Sequence, residues 1–269
     1  MKRVYLEITN ACNLDCPFCR YPKGKQFMDL NDIENYLKQI KPYCNYIYLH
    51  ILGEPLLHPD FNMILDLLDK EDFNLQLVTN GVLLDKHKDI LSHKCLRKLS
   101  VSVHSVNNLN IGKEYFETLN KLIDTDTKTM IELRFYHKEV LSDDIQMYLK
   151  ELEDKYDFRI TSKLDSHRIK DNVFIYYQDL FRWPDMNDEI IGTDGTCHGA
   201  IDMIAINVNA DVTLCCLDPK AINSIGNLKK NTLKDILESD KYLEYIESFR
   251  QHKIISELCK RCSYRLRFK

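Results

Sequence analysis

Residues 4–19 have the sequence VYLEITNACNLDCPFC, a short apolar run that leads directly into three closely spaced cysteines. The run 4–9 is rich in β-branched and aromatic residues and predicts a strand. The loop after it carries the thiols of Cys12, Cys16 and Cys19, and a loop this tight can wrap three thiolates around one small inorganic core. A closed four-iron cluster needs four ligands, so three thiolates leave one iron able to bind another molecule.

Two other interpretations of this loop stay open from spacing alone. A zinc site could use the same three thiols with His50 or His58, although zinc loops usually carry two separated ligand pairs. Three structural cysteines at this spacing would be a coincidence. The chain has 10 cysteines in 269 residues and no export signal, which favours metal binding or redox chemistry over disulfides. Cys44 and Cys95 stand alone in the sequence, and we expect them to be small buried hydrophobes.

Outward from this loop, β-rich runs alternate with helical patterns. The predicted strands are 4–9, 46–49, 75–79, 99–103, 130–135 and 158–162. The predicted helices are 30–40, 61–68, 84–91, 115–123 and 145–156, the first capped by Asp29 or Asn31. Alternation with short connections predicts a parallel sheet of βα units whose functional groups gather at the carboxyl ends of the strands. Six units are too few for a closed eight-stranded barrel, so we expect an open partial barrel.

Composition excludes several classes of protein. The formal net charge of −4 and the mixing of lysines with acidic residues give no basic surface for nucleic acid. No apolar stretch reaches the roughly 20 residues that a membrane-spanning helix needs. We therefore expect a cytoplasmic protein that binds neither nucleic acid nor membrane.

The pattern changes after residue 165. Segment 166–195 mixes charges with aromatic residues and is predicted to be a linker or a cap over the substrate, with Tyr176, Tyr177, Trp183 and His198 as possible substrate contacts. From residue 196 a different module begins, with a predicted hairpin of 203–208 and 212–216 and helical segments at 233–237 and 242–249. Its thiols lie at Cys197, Cys215, Cys259 and Cys262. Four thiols suit either a complete 4Fe–4S cluster or Zn²⁺.

The loop C-x3-C-x2-C, with Phe18 before its last cysteine, resembles the signature of the radical S-adenosylmethionine (SAM) superfamily. The resemblance implies a 4Fe–4S cluster whose open iron chelates SAM, and reductive cleavage of SAM to a 5′-deoxyadenosyl radical that abstracts hydrogen from a substrate. The cofactor would perform the difficult step and the protein would position it. It also implies an external reductant such as flavodoxin or ferredoxin.

Further positions fit this resemblance. Gly53, Glu54 and Pro55 follow the second predicted strand and resemble the family's GGEP motif, with Leu52 in place of its first glycine. That motif is expected to receive the SAM amino group. Four more residues lie in or at the ends of later strands and are expected to contact SAM: Asn80, Ser102, His104 and Arg134. A Gly-Glu-Pro tripeptide by itself is usually only a turn.

The C-terminal module resembles the SPASM/twitch extension. Only five cysteines occur there, so the shorter twitch form with one auxiliary 4Fe–4S cluster fits better than the full form with two. Ala210 stands where the family often has glycine in a G-x4-C element, which selects Cys215 as the ligand and leaves Cys216 as the substitute. The expected fold is an α/β protein: a partial (β/α)6 TIM-like barrel at 1–165, a linker or cap at 166–195 and a cluster-binding domain at 196–269.

The resemblance implies an oxidoreductase in which the auxiliary cluster relays electrons. The first hypothesis is modification of a peptide or protein side chain. The second is dehydrogenation of a small hydroxylated metabolite such as an amino sugar. A third, from another class, is an iron–sulfur or zinc protein without SAM turnover. The sequence identifies no catalytic residue beyond the expected cofactor contacts.

Overall fold

A computed structural model describes residues 1–19, 24–107, 112–136, 141–179 and 182–268. Within these residues ten strands form one mixed sheet in the order β10-β9-β8-β1-β2-β3-β4-β5-β7-β6. The strands are β1 (Arg3–Leu6), β2 (Tyr46–Tyr48), β3 (Asn74–Thr79), β4 (Leu96–Ser102), β5 (Met130–Tyr136), β6 (Asp165–Lys170), β7 (Val173–Gln178), β8 (Met203–Ile206), β9 (Asp211–Thr213) and β10 (Ser224–Asn227).

Six neighbouring strands, β1 to β5 and β7, run parallel. Helices cover their outer face: α1 (Leu30–Ile40), α2 (Phe61–Lys70), α3 (Lys113–Asp124) and α4 (Asp143–Lys155). This arrangement confirms the expected open barrel of six parallel strands. Asp29 caps α1, because its carboxylate accepts a hydrogen bond from the Asn31 backbone N–H at 2.8 Å.

The hydrophobic core lies between the sheet and these helices. Alternate strand residues point into it, such as Leu75 and Leu77 of β3, and they meet the apolar stripe of α2. Cys44 and Cys95 are buried in the same core, as expected of isolated cysteines. No helix in the described part of the chain is both long enough and apolar enough to cross a membrane.

Two predicted elements are wrong. Segment 158–162 is not a strand, because the backbone N–H of Ile160 bonds the Glu153 carboxylate at the end of α4 instead of a neighbouring strand. The sixth parallel strand is β7, which lies inside the segment predicted as a linker or cap. Segment 84–91 is not an α-helix but two short 3-10 helices, Leu84–Lys86 and Lys88–Ser92, which the non-helical His87 separates. The domain bounds at 165 and 196 remain a prediction.

The C-terminal module continues the barrel sheet. β8 pairs in parallel with β1, and β9 and β10 add antiparallel strands beyond it. The predicted hairpin is therefore present, with a turn in which Ala210 has a φ of +69°. That left-handed conformation explains the family's preference for glycine at this position. Helices α5 (Leu233–Leu237), α6 (Asp240–Arg250) and α7 (Glu257–Lys260) follow.

Candidate functional site

The inner face of the barrel encloses a cavity of about 690 Å³. Strand alternation builds its wall, because the residues between the core positions point inward. Polar and aromatic side chains from six strands line the cavity: Arg3, Tyr5, Tyr48, Gln76, Lys98, Ser100, Ser102, Glu132, Arg134, Tyr136, Tyr176 and Gln178. A cavity of this size is within the range of ligand sites, which is roughly 300–1,000 Å³.

The three thiols of the N-terminal loop all line this cavity. The loop holds them in place with its own backbone, since the Leu14 N–H points at the Cys12 sulfur at 3.4 Å and the Cys19 N–H bonds the Cys16 carbonyl at 3.0 Å. The Cys16 thiol reaches the Ser105 carbonyl beyond β4 at 3.3 Å. All three are half-buried and in no disulfide, and they face one space, an arrangement that fits a shared cluster.

The Gly53-Glu54-Pro55 loop packs directly on the cysteine loop. Gly53 has a φ of +74°, and a Cβ there would overlap the Thr9 carbonyl oxygen and lie 2.8 Å from that of Ala11. The next residue bonds the same loop, since the Glu54 N–H donates to the Ala11 carbonyl at 2.8 Å. Only glycine permits this close approach of two backbones.

The Glu54 carboxylate joins that loop to the end of β3. It accepts hydrogen bonds from the Thr79 hydroxyl at 2.7 Å, the Asn80 N–H at 2.8 Å and the Leu56 N–H at 3.1 Å. Burial raises the pKa of Glu54 to about 7, and these donors act against that rise. A carboxylate has about four acceptor positions, so one remains for a ligand. Pro55 begins a buried 3-10 turn behind it.

The other predicted SAM contacts belong to the wall of the same cavity. Asn80, Ser102, His104 and Arg134 all line it. The Asn80 side chain donates to the Asn13 side chain at 2.8 Å and so reaches the cysteine loop. The Arg134 side chain points into the cavity. Their roles toward SAM remain predictions.

Phe18 connects the cysteine loop to strands β4 and β5. Its ring packs against His104 and Tyr136, with centroids 5.4 Å and 5.3 Å away, and those two rings stack on each other at 3.4 Å. Burial lowers the pKa of His104 to about 3, so the imidazole is neutral. The aromatic position of the motif therefore has a packing role that orders the loop.

A further polar part of the cavity wall, next to Arg134, was not predicted from the sequence. Lys98 pairs with Glu132, whose other oxygen accepts from the Ser100 hydroxyl at 3.0 Å. The hydroxyl of Tyr48 bonds Gln76. Burial, with help from nearby Arg134, lowers the pKa of His50 to about 4. Each of these residues has inward strand parity, and that alternation is the sequence signal that could have identified them.

A second cavity, of about 190 Å³, lies in the C-terminal module. The four predicted auxiliary ligands line it together with the alternative: Cys197, Cys215, Cys259, Cys262 and Cys216. Backbone and amide N–H groups point at two of the sulfurs, from Gly199 to Cys197 at 3.4 Å and from Asn223 to Cys259 at 3.7 Å. Such donors stabilise thiolates and tune clusters.

These thiols can lose their protons together only if a positively charged metal centre binds between them. Burial, with the neighbouring thiols adding to it, raises the pKa of Cys259 to about 12 and raises that of Cys215 well above its usual value. Metal coordination removes such protons. In the described residues, no three His, Cys, Asp or Glu side chains form a group that could hold a single metal ion. The chemistry of four thiols suits either a 4Fe–4S cluster or Zn²⁺.

Cys216 differs from Cys215 in its surroundings. Cys215 lies beside Cys197 and Cys259, whereas the Cys216 thiol hydrogen-bonds the Tyr5 side chain and lines both cavities. Four further residues also line both: Arg3, Tyr5, Leu217 and Tyr264. One layer of side chains therefore separates the two cavities.

The four residues expected to contact the substrate lie in different places. Tyr176 and Trp183 line the main cavity, but Tyr177 points into the core on the other face of β7. His198 pairs with Asp202 at 2.6 Å and lines the cavity of the C-terminal thiols instead. Tyr176 and Tyr177 are consecutive residues of a strand and therefore point to opposite faces of the sheet. This difference was missed from the sequence because a linker was predicted there.

Two family models match the chain. The radical SAM superfamily model matches residues 6–132, and the SPASM iron–sulfur cluster-binding domain matches residues 197–263. The protein belongs to the radical SAM superfamily and carries a C-terminal SPASM/twitch domain. A radical SAM domain takes a 4Fe–4S cluster and SAM, and a SPASM domain takes an auxiliary iron–sulfur cluster.

Similar proteins differ in what they act on. GTP 3′,8-cyclase of Aquifex aeolicus is 26% identical, with 94% of this chain and 93% of that protein aligned. Streptococcus suis SuiB bound to its precursor peptide SuiA is 13% identical, with a TM-score of 0.63 over 97% of this chain and 71% of that one. BtrN in complex with AdoMet and 2-DOIA is 17% identical, with a TM-score of 0.56 over 97% and 92%. The two solved structures establish the fold alone.

Proposed function

We propose that the protein is a radical SAM oxidoreductase that modifies a peptide or protein side chain, with an auxiliary 4Fe–4S cluster relaying electrons. The observation that carries the proposal is that one cavity is lined by the three thiols, by Gly53 and Glu54, and by a polar wall that includes Lys98 and Glu132. When bound, the reduced cluster and SAM supply a 5′-deoxyadenosyl radical that removes a hydrogen atom, and an auxiliary cluster accepts the electron released afterwards.

The chain's own residues have three tasks in this proposal. Cys12, Cys16 and Cys19 hold the cluster, and the inward guanidinium of Arg134 binds the SAM carboxylate through charge-assisted hydrogen bonds. The Lys98–Glu132 pair in the cavity wall orients a polar group of the substrate. Trp183 lines the cavity, and its indole ring would limit the access of water.

Cys197, Cys215, Cys259 and Cys262 hold the auxiliary cluster in this proposal. The single layer of side chains between the cavities, Tyr5 and Cys216 among them, keeps that cluster close to the substrate. This proximity supports an oxidation in which the substrate loses a second electron. A flavodoxin or ferredoxin would supply the first electron.

A peptide substrate is supported by exposed apolar side chains in the segment that follows Trp183. These are Met186, Ile190 and Ile191. They offer a surface on which a peptide could lie. A small hydroxylated metabolite is the second candidate, favoured by the hydrogen-bonding groups of Gln76, Lys98 and Ser100.

Product formation with two kinds of probe tests the choice. Anaerobically reconstituted, reduced protein is given SAM with a mixed peptide library or with a mixture of amino sugars and polyols, and 5′-deoxyadenosine is measured. The proposal expects peptides to stimulate its formation and Trp183→Ala to reduce that stimulation. Stimulation by the polyol mixture alone would replace the peptide proposal with the metabolite one. Wild-type protein that forms no 5′-deoxyadenosine with any probe, or alone, would refute SAM cleavage itself.

A further inference from the structure

Glu7 is a buried carboxylate that joins two separate parts of the chain. It follows β1, has the same parity as the inward residues Arg3 and Tyr5, and is only 2% exposed. One carboxylate oxygen accepts the Leu52 N–H at 2.9 Å, and the other accepts the Val208 N–H at 2.9 Å. Leu52 immediately precedes Gly53, and Val208 lies in the turn between β8 and β9.

The bond to Leu52 lies at a sensitive position. The loop that begins at Gly53 touches the cysteine loop and leaves no room for a side chain. The Glu54 carboxylate then fixes the end of β3 through Thr79 and Asn80. A displacement of Leu52 would therefore move the groups that face both the thiols and the cavity.

The bond to Val208 brings the C-terminal module into the same network. The turn is tight, since the Ala210 N–H bonds the Asn207 carbonyl at 2.8 Å and the Asn207 side chain accepts the Asn209 and Asp211 N–H groups. Burial raises the pKa of Glu7 to about 7, and the two backbone bonds act in the opposite direction. A buried acid with two such donors is costly unless both bonds are made.

We propose that Glu7 is a positioning residue through which the β8–β9 turn of the auxiliary domain holds the SAM-binding loop in place. The inference rests on the proposed binding of SAM. It makes SAM affinity depend on the backbone N–H of Val208, which lies more than 150 residues after Leu52 in sequence. The Glu7 carboxylate does not touch the reacting atoms. It acts through Leu52 and Gly53.

Two variants remove the link from opposite ends. Glu7→Gln replaces one acceptor oxygen with an NH₂ group that faces an N–H donor. Val208→Pro removes the donor and leaves Glu7 intact. Val208 is the second residue of its turn, where proline is favoured, and Asn207 before it directly follows strand β8. The loss of one buried hydrogen bond predicts a SAM Kd about five- to tenfold higher in each variant.

Matched controls separate coupling from general destabilisation. Glu153→Gln alters another buried glutamate that accepts a backbone N–H, from Ile160 at 2.9 Å, but it lies on α4 away from the cavity. Val208→Ala trims the side chain and keeps the N–H. Both controls should lower thermal stability while the SAM Kd stays within about twofold of the wild type, as expected for sites that do not interact.

The readouts are SAM Kd by equilibrium dialysis on the reconstituted holoenzyme, its iron content, and hydrogen exchange at the Leu52 amide. The proposal expects faster exchange at Leu52 in Val208→Pro as well as in Glu7→Gln. Wild-type Kd and wild-type exchange at Leu52 in a folded, fully loaded Val208→Pro would overturn it. If Glu7→Gln does not fold, Val208→Pro decides alone. If the wild type binds no SAM, the proposed function fails, and exchange at Leu52 still tests the coupling.

Discussion

Gly53→Ala is the substitution whose effect follows most directly from the geometry of the site. The alanine Cβ would overlap the Thr9 carbonyl oxygen and lie 2.8 Å from that of Ala11, in a residue with a φ of +74°. Both obstacles are backbone atoms of the cysteine loop and cannot rotate away. The two loops must therefore separate, and the hydrogen bond from the Glu54 N–H to Ala11 is lost.

The magnitude has two parts. A left-handed conformation costs an alanine about 1–2 kcal/mol, and the lost hydrogen bond adds about 1 kcal/mol. A local cost of about 2–3 kcal/mol exceeds the ~1.4 kcal/mol that changes an equilibrium tenfold. We expect the SAM Kd of the holoenzyme to rise at least about tenfold, with a lower midpoint of thermal unfolding.

Equilibrium dialysis of SAM against the reconstituted protein measures this effect, with Gly112→Ala as the matched control. Gly112 has a φ of −64°, and a Cβ there meets only the flexible end of the Glu114 side chain. The control should bind SAM as the wild type does. Wild-type SAM affinity in Gly53→Ala would refute the idea that this backbone contact shapes the cofactor site.

Three further predictions concern the ligands, SAM and pH. Cys215→Ser should lower the iron content by about four per chain, because Cys215 lies among the other thiols, whereas Cys216→Ser should leave it unchanged. Iron analysis of the two variants measures this difference, and the reverse result would make Cys216 the ligand. Arg134→Met should weaken SAM binding about tenfold or more, because it removes a charge-assisted hydrogen bond to SAM, whereas Lys98→Met should change the SAM Kd far less. Equal losses of SAM affinity in equilibrium dialysis would contradict the assignment of Arg134 to the SAM carboxylate. His50 has a folded pKa of about 4, below its unfolded value near 6.5, so its contribution to stability is complete above pH 6.5 and is lost as the pH falls toward 4. His50→Gln should therefore lose less stability than the wild type over that range in thermal unfolding, and identical slopes would refute the shift.

The sequence predicts the barrel because its core strands are short, apolar and separated by amphipathic helices. It misplaces the sixth strand because 158–162 resembles a strand, and because β7 lies in a charged segment that was assigned to a cap although its Val, Ile, Phe and Tyr residues favour a strand. Hydrogen bonding separates the two segments, since Ile160 bonds α4 and Ile175 pairs with β5. Tertiary pairing, which no local pattern encodes, decided the outcome.

The candidate site divides in the same way. The cysteines and the Gly53-Glu54-Pro55 loop carry a local motif and are found from sequence. The polar wall of Lys98 and Glu132, and the link through Glu7, come from residues distant in sequence that the sheet brings together. A lone glutamate in an apolar strand resembles a solvent-facing residue until its partners at Leu52 and Val208 are known.

The central claim is that Cys12, Cys16 and Cys19 hold the cluster that cleaves SAM. The most direct test measures iron and 5′-deoxyadenosine together, in dithionite-reduced wild type and in the variant with all three cysteines replaced by alanine. We predict about eight irons per chain and 5′-deoxyadenosine formation for the wild type, and about four irons with no 5′-deoxyadenosine for the variant. Formation of 5′-deoxyadenosine by the triple variant would contradict the claim.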